Sequence, residues 1–198
     1  MRVNDVPDSK PDMRNRSLKR RDAMTAEERR AKSLAIATHG AEALAPEIAG
    51  KRVAGYHPIR SEVDVGLLMT LLENAGAALA LPAVIDRETI VFRSFRSGEA
   101  LVAGGFGTRA PGEQAAEVDP DILLMPLSVF DEAGNRIGYG AGHYDRAIAR
   151  LAGRGRRPLL VGIAFDLQEV PAVPAEPHDV PLDAIITESG FRRTENRA

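Results

Sequence analysis

The chain has 198 residues, of which 44% are apolar, and this is enough for one globular domain with a hydrophobic core. Its 26 basic and 28 acidic residues nearly balance, so the overall charge indicates neither a nucleic-acid partner nor a membrane surface. The sequence has no cysteine, which excludes disulfides and thiolate metal sites. No apolar run approaches the roughly 18 residues of a membrane span, and the first residues lack the apolar core of a secretory signal. We therefore expect a cytoplasmic protein.

Two helices are expected before the first strand. Ser9 can cap a helix that begins at Ser9 or Lys10 and continues to about Met24. Thr25 and, three residues later, Glu28 form a capping-box pattern, which predicts a second helix that ends near position 44. Both segments are rich in arginine, so their exposed faces should be basic.

Short apolar segments then alternate with helical patterns. Five segments are predicted to be buried strands: Arg52–Tyr56, Ala77–Leu81 with Pro82 as its stop, Asp121–Met125, Leu159–Ala164 and Ala184–Thr187. A sixth segment, Ile90–Phe95, alternates and is expected to be a half-exposed strand. Helical spacing covers residues 65–75 and 144–151. This alternation predicts a three-layer α/β/α fold with a mostly parallel central sheet and helices on both faces.

The predicted elements form one domain over residues 9–190. Residues 1–8 are polar and are expected to be a disordered N-terminal tail, and residues 191–198 a C-terminal tail. The stretch from Ala103 to Gln114 is rich in Gly and Pro, and it is interpreted as a long loop within the domain rather than as a domain boundary.

The stretch Gly134–Arg146 contains four glycines, at positions 134, 138, 140 and 142. It follows a predicted strand and leads into a predicted helix, the place where open α/β sheets bind ligands. Glycines let backbone N–H groups approach an anion, and the helix N-terminus adds its dipole. Arg136 and Arg146 could contact phosphate oxygens, whereas Asp145 would need a cation such as Mg²⁺ between itself and a phosphate.

This pattern alone leaves two interpretations open, a phosphate-binding loop or a flexible surface loop with a polar helix cap. The GxGxG spacing matches neither the dinucleotide fingerprint nor the lysine-containing P-loop motif. The sequence also contains no convincing Ser-His-Asp set and no His-rich zinc spacing. More than the glycine spacing is therefore needed to assign a function.

The segment Pro126–Arg146, PLSVFDEAGNRIGYGAGHYDR, resembles the signature of the 5-formyltetrahydrofolate cyclo-ligase family, also called methenyltetrahydrofolate synthetases. Further segments resemble that family in the same order along the chain: Lys10–Arg14, Tyr56–Asp64, Leu81–Pro82, Gly107–Pro111, Gln168, Pro174–Asp179 and Leu182–Glu188. The resemblance covers about residues 9–190, so it is far more specific than the glycine loop alone.

The resemblance implies an activity. Members of this family use ATP and Mg²⁺ to convert 5-formyltetrahydrofolate to 5,10-methenyltetrahydrofolate, with release of ADP and phosphate. The formyl oxygen is phosphorylated, the neighbouring nitrogen attacks, the ring closes and phosphate leaves. The expected partners are therefore ATP, Mg²⁺ and a reduced folate, with no nucleic acid and no membrane, and a monomer is the expected state.

The resemblance also implies roles for particular residues. Lys10 and Arg14 should reach the ATP phosphates. Nine consecutive loop residues should cradle those phosphates: Arg136, Ile137, Gly138, Tyr139, Gly140, Ala141, Gly142, His143 and Tyr144. Three of these residues should take part in catalysis: Arg136, His143 and Tyr144. Contacts to the folate are expected from His57, Glu62, Tyr139 and His143, and to Mg²⁺ from Asp145 and Asp183.

The sequence departs from the family pattern at three places. His143 stands where members usually carry a second aromatic residue, and Ala141 stands where they often carry glycine. Thr108–Ala110 replaces an isoleucine–x–glutamate, so a carboxylate is lost there. Because histidine titrates near neutral pH, His143 could change the pH profile or the fit around the formyl group.

Three other functions stay open at this point. One is an ATP-dependent enzyme with an altered folate pocket, and another is a nucleotide-binding regulatory protein that has lost catalysis. The joint presence of five charged residues argues against lost catalysis: Lys10, Arg14, Arg136, Asp145 and Asp183. A sugar-phosphate isomerase would rest on fold analogy alone, and it would need a placed general base that the sequence does not indicate.

Overall fold

The computed structural model describes residues 9–176 and 179–194, with Phe106 described by its backbone only. Its helices are α1 (Lys10–Asp22), α2 (Ala26–Leu44), α3 (Gly66–Asn74) and α4 (His143–Gly153). Its strands are β1 (Arg52–Ala54), β2 (Ala78–Val84), β3 (Ile90–Phe95), β4 (Val102–Ala103), β5 (Arg109–Ala110), β6 (Ile122–Pro126), β7 (Val129–Phe130), β8 (Arg136–Ile137), β9 (Leu159–Ile163), β10 (Ala184–Thr187) and β11 (Gly190–Arg193). The predicted tail at residues 1–8 lies outside the described residues.

Seven strands form the central sheet, in the order β11-β10-β9-β6-β1-β2-β3. The five inner strands are parallel, and the two edge strands, β3 and β11, are antiparallel to their neighbours. Alternate residues of β6 face opposite sides, because Leu124 packs with α2 and α3 whereas Leu123 packs with α4. The predicted three-layer α/β/α fold is therefore confirmed.

The two predicted helix caps are present. The Ser9 hydroxyl accepts the Asp12 N–H at 3.3 Å at the start of α1. At the start of α2, the Glu28 N–H donates to the Thr25 hydroxyl at 3.1 Å, and the Thr25 N–H donates to the Glu28 carboxylate at 2.7 Å. These bonds satisfy N–H groups that a helix leaves without partners in its first turn.

Pro82 does not end strand β2, contrary to the prediction, because β2 continues to Val84. The Ala80 carbonyl accepts the Gly55 N–H at 3.1 Å, so the polar backbone of Ala80 faces β1. Pro82, two residues later, faces the same side, beyond the end of β1 at Ala54. The missing proline N–H therefore removes no hydrogen bond from the sheet.

Two further predictions need correction. Residues 191–193, predicted to be part of the C-terminal tail, belong to β11, which pairs with β10, and the ordered sheet thus extends beyond residue 190. The stretch predicted as a long loop, residues 103–114, contains β5 and the last residue of β4, which pair as a small hairpin. No helix within the described residues is long and apolar enough to cross a membrane.

The β7–β8 hairpin is fixed at its tip. The Leu182 N–H donates to the Gly134 carbonyl at 2.9 Å, and Gly134 has a φ of +87°. A Cβ atom added at Gly134 would lie 2.8 Å from the Leu182 carbonyl oxygen. Only glycine fits this position without strain, and the hairpin that carries Arg136 depends on it.

Gly134→Ala is expected to destabilise the fold more than Gly98→Ala. Gly98 has a similar φ of +85°, but an added Cβ would meet nothing within 4 Å. Gly98→Ala should lower the free energy of unfolding by about 1 kcal/mol, the cost of a left-handed backbone. Gly134→Ala should lower it by roughly 1–3 kcal/mol more, because the Cβ also meets backbone. Urea unfolding measures both values, and equal losses would contradict the assigned close contact.

Candidate functional site

The segment between β8 and α4, residues 138–142, is called the glycine loop below. The Arg14 side chain of α1 reaches it, and its Nε donates to the Gly138 carbonyl at 2.7 Å. A Cβ added at Gly140 would lie 3.4 Å from the Arg14 guanidinium. The structure thus brings Arg14 and the glycine loop together.

Helix α4 begins at the end of the glycine loop. Its N-cap is Gly142, which has a φ of +67° and no side chain to cap the helix. The Gly142 carbonyl accepts the Arg146 N–H at 3.1 Å, which starts the hydrogen-bond ladder of the helix. The positive end of the helix dipole therefore points at the loop, and an anion there would be stabilised.

Arg136 of β8 lies beside this helix end, with only 8% of its side chain exposed. Its Nη2 donates to Asp145 in the first turn of α4, at 2.6 Å. Its Nε is buried and has no hydrogen-bond partner among the described residues. An unpaired buried donor is costly, so this atom is suited to an incoming oxygen of a ligand.

Arg21 is a site residue that sequence reasoning missed. It lies at the end of α1 and is only 1% exposed. Its Nε donates to the Ser61 hydroxyl at 3.0 Å, and its Nη2 donates to the Tyr139 hydroxyl at 2.6 Å. The available signal was its spacing of seven residues from Arg14, which places both arginines on one helix face.

Glu62 follows the carboxyl end of β1 and is 8% exposed. Its carboxylate accepts the Ile59 N–H at 2.8 Å. Burial raises the pKa of Glu62 above its ordinary value, although the hydrogen bond from Ile59, the nearby Tyr139 hydroxyl and the charge of Arg21 oppose this rise. The glycine loop and Glu62 therefore meet at the carboxyl edge of the sheet.

Two further predicted residues lie in this neighbourhood. Burial raises the pKa of Tyr144, as does the charge of Glu62, whereas Arg136 opposes the rise. Tyr144 thus lies within electrostatic reach of both sides of the site. For His57, burial and the nearby charge of Arg109 lower the pKa.

His143 and Arg146 make contacts outside the glycine loop. The His143 Nε2 lies 2.9 Å from the carbonyl oxygen of Arg87, in the turn between β2 and β3. The Arg146 Nε donates to the Glu88 carbonyl at 2.7 Å, and its Nη2 donates to the Ala141 carbonyl at 2.7 Å. The N-terminus of α4 is thereby tied to the β2–β3 turn.

The remaining loop residues differ in exposure. Ile137 is buried with Met13 of α1, so only its backbone can face a ligand. Ala141 is exposed, and Tyr139 exposes 36% of its surface while its hydroxyl points inward to Arg21. A ligand on the loop would therefore meet backbone and an aromatic ring.

Lys10 lies one helical turn before Arg14 but contacts a different segment. Its Nζ is 2.6 Å from a carboxylate oxygen of Asp179 and 3.0 Å from one of Glu176. Burial alone would lower the pKa of Lys10, but the hydrogen bonds and charges of these two carboxylates outweigh it and raise the pKa.

The two predicted magnesium ligands occupy different ion pairs. Asp145 contacts Arg136 at the carboxyl edge of the sheet. Asp183 directly precedes β10, at the opposite edge, where its carboxylate accepts from Arg157 at 2.8 and 3.0 Å and from the Leu160 N–H at 2.8 Å. Among the described residues, no group of three or more acidic or histidine side chains is arranged to hold a metal.

Comparison with known proteins agrees with the sequence motifs. Residues 6–188 match the 5-formyltetrahydrofolate cyclo-ligase family. The chain is 34% identical over 151 residues to a 5-formyltetrahydrofolate cyclo-ligase of Mycolicibacterium smegmatis, covering 71% of this chain and 75% of that protein. It is 31% identical over 150 residues to the Escherichia coli K12 protein of the same name, covering 73% and 81%.

Two solved structures of methenyltetrahydrofolate synthetases superpose on this chain over most of its length. The 5,10-methenyltetrahydrofolate synthetase of Aquifex aeolicus superposes with a TM-score of 0.76 at 30% identity, covering 96% of this chain and 94% of that one. The synthetase of Mycoplasma pneumoniae superposes with a TM-score of 0.75 at 26% identity, covering 91% and 99%. Motifs and fold therefore agree, and the chain belongs to the 5-formyltetrahydrofolate cyclo-ligase family.

Proposed function

We propose that this protein converts 5-formyltetrahydrofolate to 5,10-methenyltetrahydrofolate in a reaction that consumes ATP and requires Mg²⁺. Family membership supports the reaction class. The observation that carries the proposal is the contact made by two adjacent loop residues. Gly138 accepts a hydrogen bond from Arg14, and the Tyr139 hydroxyl accepts one from Arg21, which also donates to Ser61, the neighbour of the buried Glu62. An anion-binding loop and a carboxylate suited to N–H donors thus lie side by side.

The reaction needs such a pair of neighbouring sites. An N-formyl carbonyl is a poor electrophile, and its oxygen is a poor leaving group. Transfer of the terminal phosphate of ATP to the formyl oxygen corrects both properties, after which the neighbouring folate nitrogen attacks and phosphate departs. The protein must then mainly hold two ligands in line and neutralise charge during the transfer.

The phosphate side of the proposed site uses α1, β8 and the start of α4. Arg14 and Arg136 supply guanidinium donors, and the loop backbone and helix terminus supply N–H groups. The buried, unpaired Nε of Arg136 fits this role because a phosphate oxygen would satisfy it. Lys10 is proposed to contribute positive charge from the preceding turn of α1.

Asp145 is the proposed magnesium-binding residue on this side. It lies in the first turn of α4, where its negative charge needs a cation between it and a phosphate. Asp183 is left out of this proposal, because its carboxylate is held by Arg157 and the Leu160 N–H at the other edge of the sheet. Mg²⁺ commonly uses one or two carboxylates together with phosphate oxygens and water, so one aspartate is sufficient.

The folate side uses Glu62, His57 and the Tyr139 ring. The adjacent N–H groups of an aminopterin ring are donors, and a carboxylate is their natural acceptor. His57 and Tyr139 supply further surface beside Glu62. His143 and Tyr144, at the start of α4, are proposed to flank the point where phosphate and formyl group meet.

The test of the proposed reaction is an absorbance assay. Purified protein is mixed with 5-formyltetrahydrofolate, ATP and Mg²⁺, and formation of the methenyl product is followed in the near ultraviolet, with each component omitted in turn. A rise that needs all three components is expected. If ATP binds but no product forms, an altered substrate or lost catalysis would replace this proposal.

Arg14→Met should mainly weaken the use of ATP. Losing a hydrogen bond to a charged group costs about 1.5–3 kcal/mol, so the KM for ATP should rise about 10- to 100-fold. Arg20→Met is the matched control, because Arg20 is an exposed arginine on the same helix. Steady-state kinetics with both variants measure the effect, and a KM for ATP that is equal in the two variants would remove Arg14 from the phosphate site.

Asp145→Asn should raise the magnesium concentration needed for half-maximal rate by at least about tenfold, as expected when a metal site loses a supporting charge. Glu132→Gln is the control, since Glu132 is an exposed acid on the β7–β8 hairpin. Magnesium titrations at saturating ATP decide the point. An unchanged magnesium requirement in Asp145→Asn would show that this carboxylate serves only to hold Arg136.

Glu62→Gln should mainly weaken the use of folate and change its pH dependence. Burial raises the pKa of Glu62 above 4.5, so the carboxylate becomes ionised only at a correspondingly higher pH. In the wild type, kcat/KM for the folate should therefore fall as pH decreases through this raised pKa. This acid limb should be absent in Glu62→Gln and retained in the exposed control Glu47→Gln. A loss confined to ATP would place Glu62 at the other ligand.

A further inference from the structure

We propose that a cavity beside the last turn of α4 is a second binding site, which takes a small organic phosphate. The cavity has a volume of about 390 Å³, within the size range of small-molecule sites. It lies between the start of β1, the start of β3, residues 117–119 and the C-terminal end of α4. Because α4 has 11 residues and is thus about 16 Å long, the cavity is well separated from the glycine loop at the other end of this helix.

Positive charge predominates in the lining of the cavity. Four arginines and two acidic residues line it: Arg52, Arg150, Arg154, Arg156, Glu117 and Asp119. Arginine stays protonated in proteins, so four positive and two negative charges leave an excess of two positive charges. The partial negative charge at the end of α4, about half a unit, does not cancel this excess. The lining therefore favours an anion.

Two of these arginines are held by neutral carbonyl groups. Arg52 Nη1 donates to the Asp119 carbonyl at 3.0 Å, and Arg150 Nη2 donates to the Ile90 carbonyl at 2.6 Å. Within the described parts of the chain, no carboxylate forms an ion pair with Arg52, Arg150 or Arg156. Each guanidinium has five N–H donors, so several donors remain for a ligand. These charges are thus oriented by the protein but not neutralised by it.

The other two arginines, Arg154 and Arg156, are exposed at the open side of the cavity. Arg154 lies 3.4 Å from a carboxylate oxygen of Asp119, and 58% of its side chain is exposed. An exposed ion pair of this kind contributes less than about 1 kcal/mol. Both guanidiniums can therefore turn onto an incoming anion at little cost.

The walls of the cavity are fixed before a ligand binds. The Val118 N–H donates to the Phe92 carbonyl at 2.8 Å, which attaches the segment of residues 117–119 to β3. The bond from Arg52 to the Asp119 carbonyl attaches the same segment to β1. Because these walls are already ordered, little binding energy is spent on arranging them.

A phosphoryl group suits this lining better than a single carboxylate. As a dianion it balances the excess of two positive charges, and its three terminal oxygens let more than one guanidinium contact it through charge-assisted hydrogen bonds. The side chains of Val91, Phe92 and Val118 add an apolar wall. A small organic body attached to the phosphate can pack against that wall, so a phosphate ester fits the site better than inorganic phosphate.

Arg154→Met/Arg156→Met is the decisive variant, because both side chains are exposed and their loss should leave the fold intact. Backbone amide chemical shifts of the full chain are followed while inorganic phosphate or glycerol 3-phosphate is added at constant ionic strength and about pH 8, where the phosphoryl group is a dianion. Saturable shifts are expected at residues 117–119 and 150–156 of the wild type, with the lower dissociation constant for the ester.

The dissociation constant should rise at least about tenfold in the double variant, as expected when hydrogen bonds to a charged group are lost. The matched control is Arg20→Met/Arg30→Met, which removes two exposed arginines from α1 and α2 and should bind like the wild type. Unchanged binding in Arg154→Met/Arg156→Met would overturn the site.

The pattern of shifts and a third probe separate the remaining outcomes. Shifts confined to residues 138–146 would place phosphate at the glycine loop alone, which would overturn the second site while agreeing with the proposed function. Succinate carries the same charge on two carboxylates, and equal affinity for it would overturn the phosphate class. A dissociation constant for glycerol 3-phosphate no lower than that for inorganic phosphate would overturn the role of the apolar wall.

Discussion

Helix α1 is held against the glycine loop by hydrogen bonds from two of its arginines to consecutive loop residues, and the geometry of the site depends on this attachment. Arg14 donates to the Gly138 carbonyl, and Arg21 donates to the Tyr139 hydroxyl. Hydrophobic burial contributes little, since the residues that α1 buries are Met13, Ser17 and Arg21. A helix docked by directional bonds has one orientation on its partner, whereas an apolar stripe would tolerate sliding.

This attachment explains why charged groups can be buried at the site. The sheet supplies a rigid edge, and the β7–β8 hairpin brings Arg136 to the start of α4, where Asp145 accepts from it at 2.6 Å. The buried guanidinium of Arg136 is thus paired with a carboxylate within the chain. Its Nε is a buried donor without a partner among the described residues. A site built in this way is ordered before a ligand arrives, so less binding energy is spent on arranging it.

The parts of the fold predictable from the sequence were those controlled by local rules. The capping box of Thr25 and Glu28 and the alternation of apolar strands with helices depend on neighbours in the chain, and both are present. The stop assigned to Pro82 was wrong, because the cost of a proline depends on whether the adjacent strand still runs beside it. Strand β11 was missed for a similar reason, since an edge strand is defined by its partner.

The site was predictable to the extent that motifs identify residues, but motifs do not show which residues meet. Arg14 and the glycine loop are in contact, whereas Asp145 and Asp183 lie at opposite edges of the sheet. In the sequence, nothing distinguishes Arg21 from the other basic residues of its helix. Its burial becomes understandable only in the fold, where the hydroxyls of Ser61 and Tyr139, distant in the sequence, accept hydrogen bonds from its guanidinium.

The departure from the family pattern at His143 can be understood from the same contacts. Its Nε2 lies 2.9 Å from the Arg87 carbonyl, so the ring is used to hold the β2–β3 turn. Arg146 adds a second bond to that turn through the Glu88 carbonyl. A phenylalanine ring at position 143 could pack there but has no donor for this carbonyl. The histidine therefore anchors the start of α4 to this turn, while Arg136 contacts Asp145 and the Tyr139 hydroxyl accepts from Arg21.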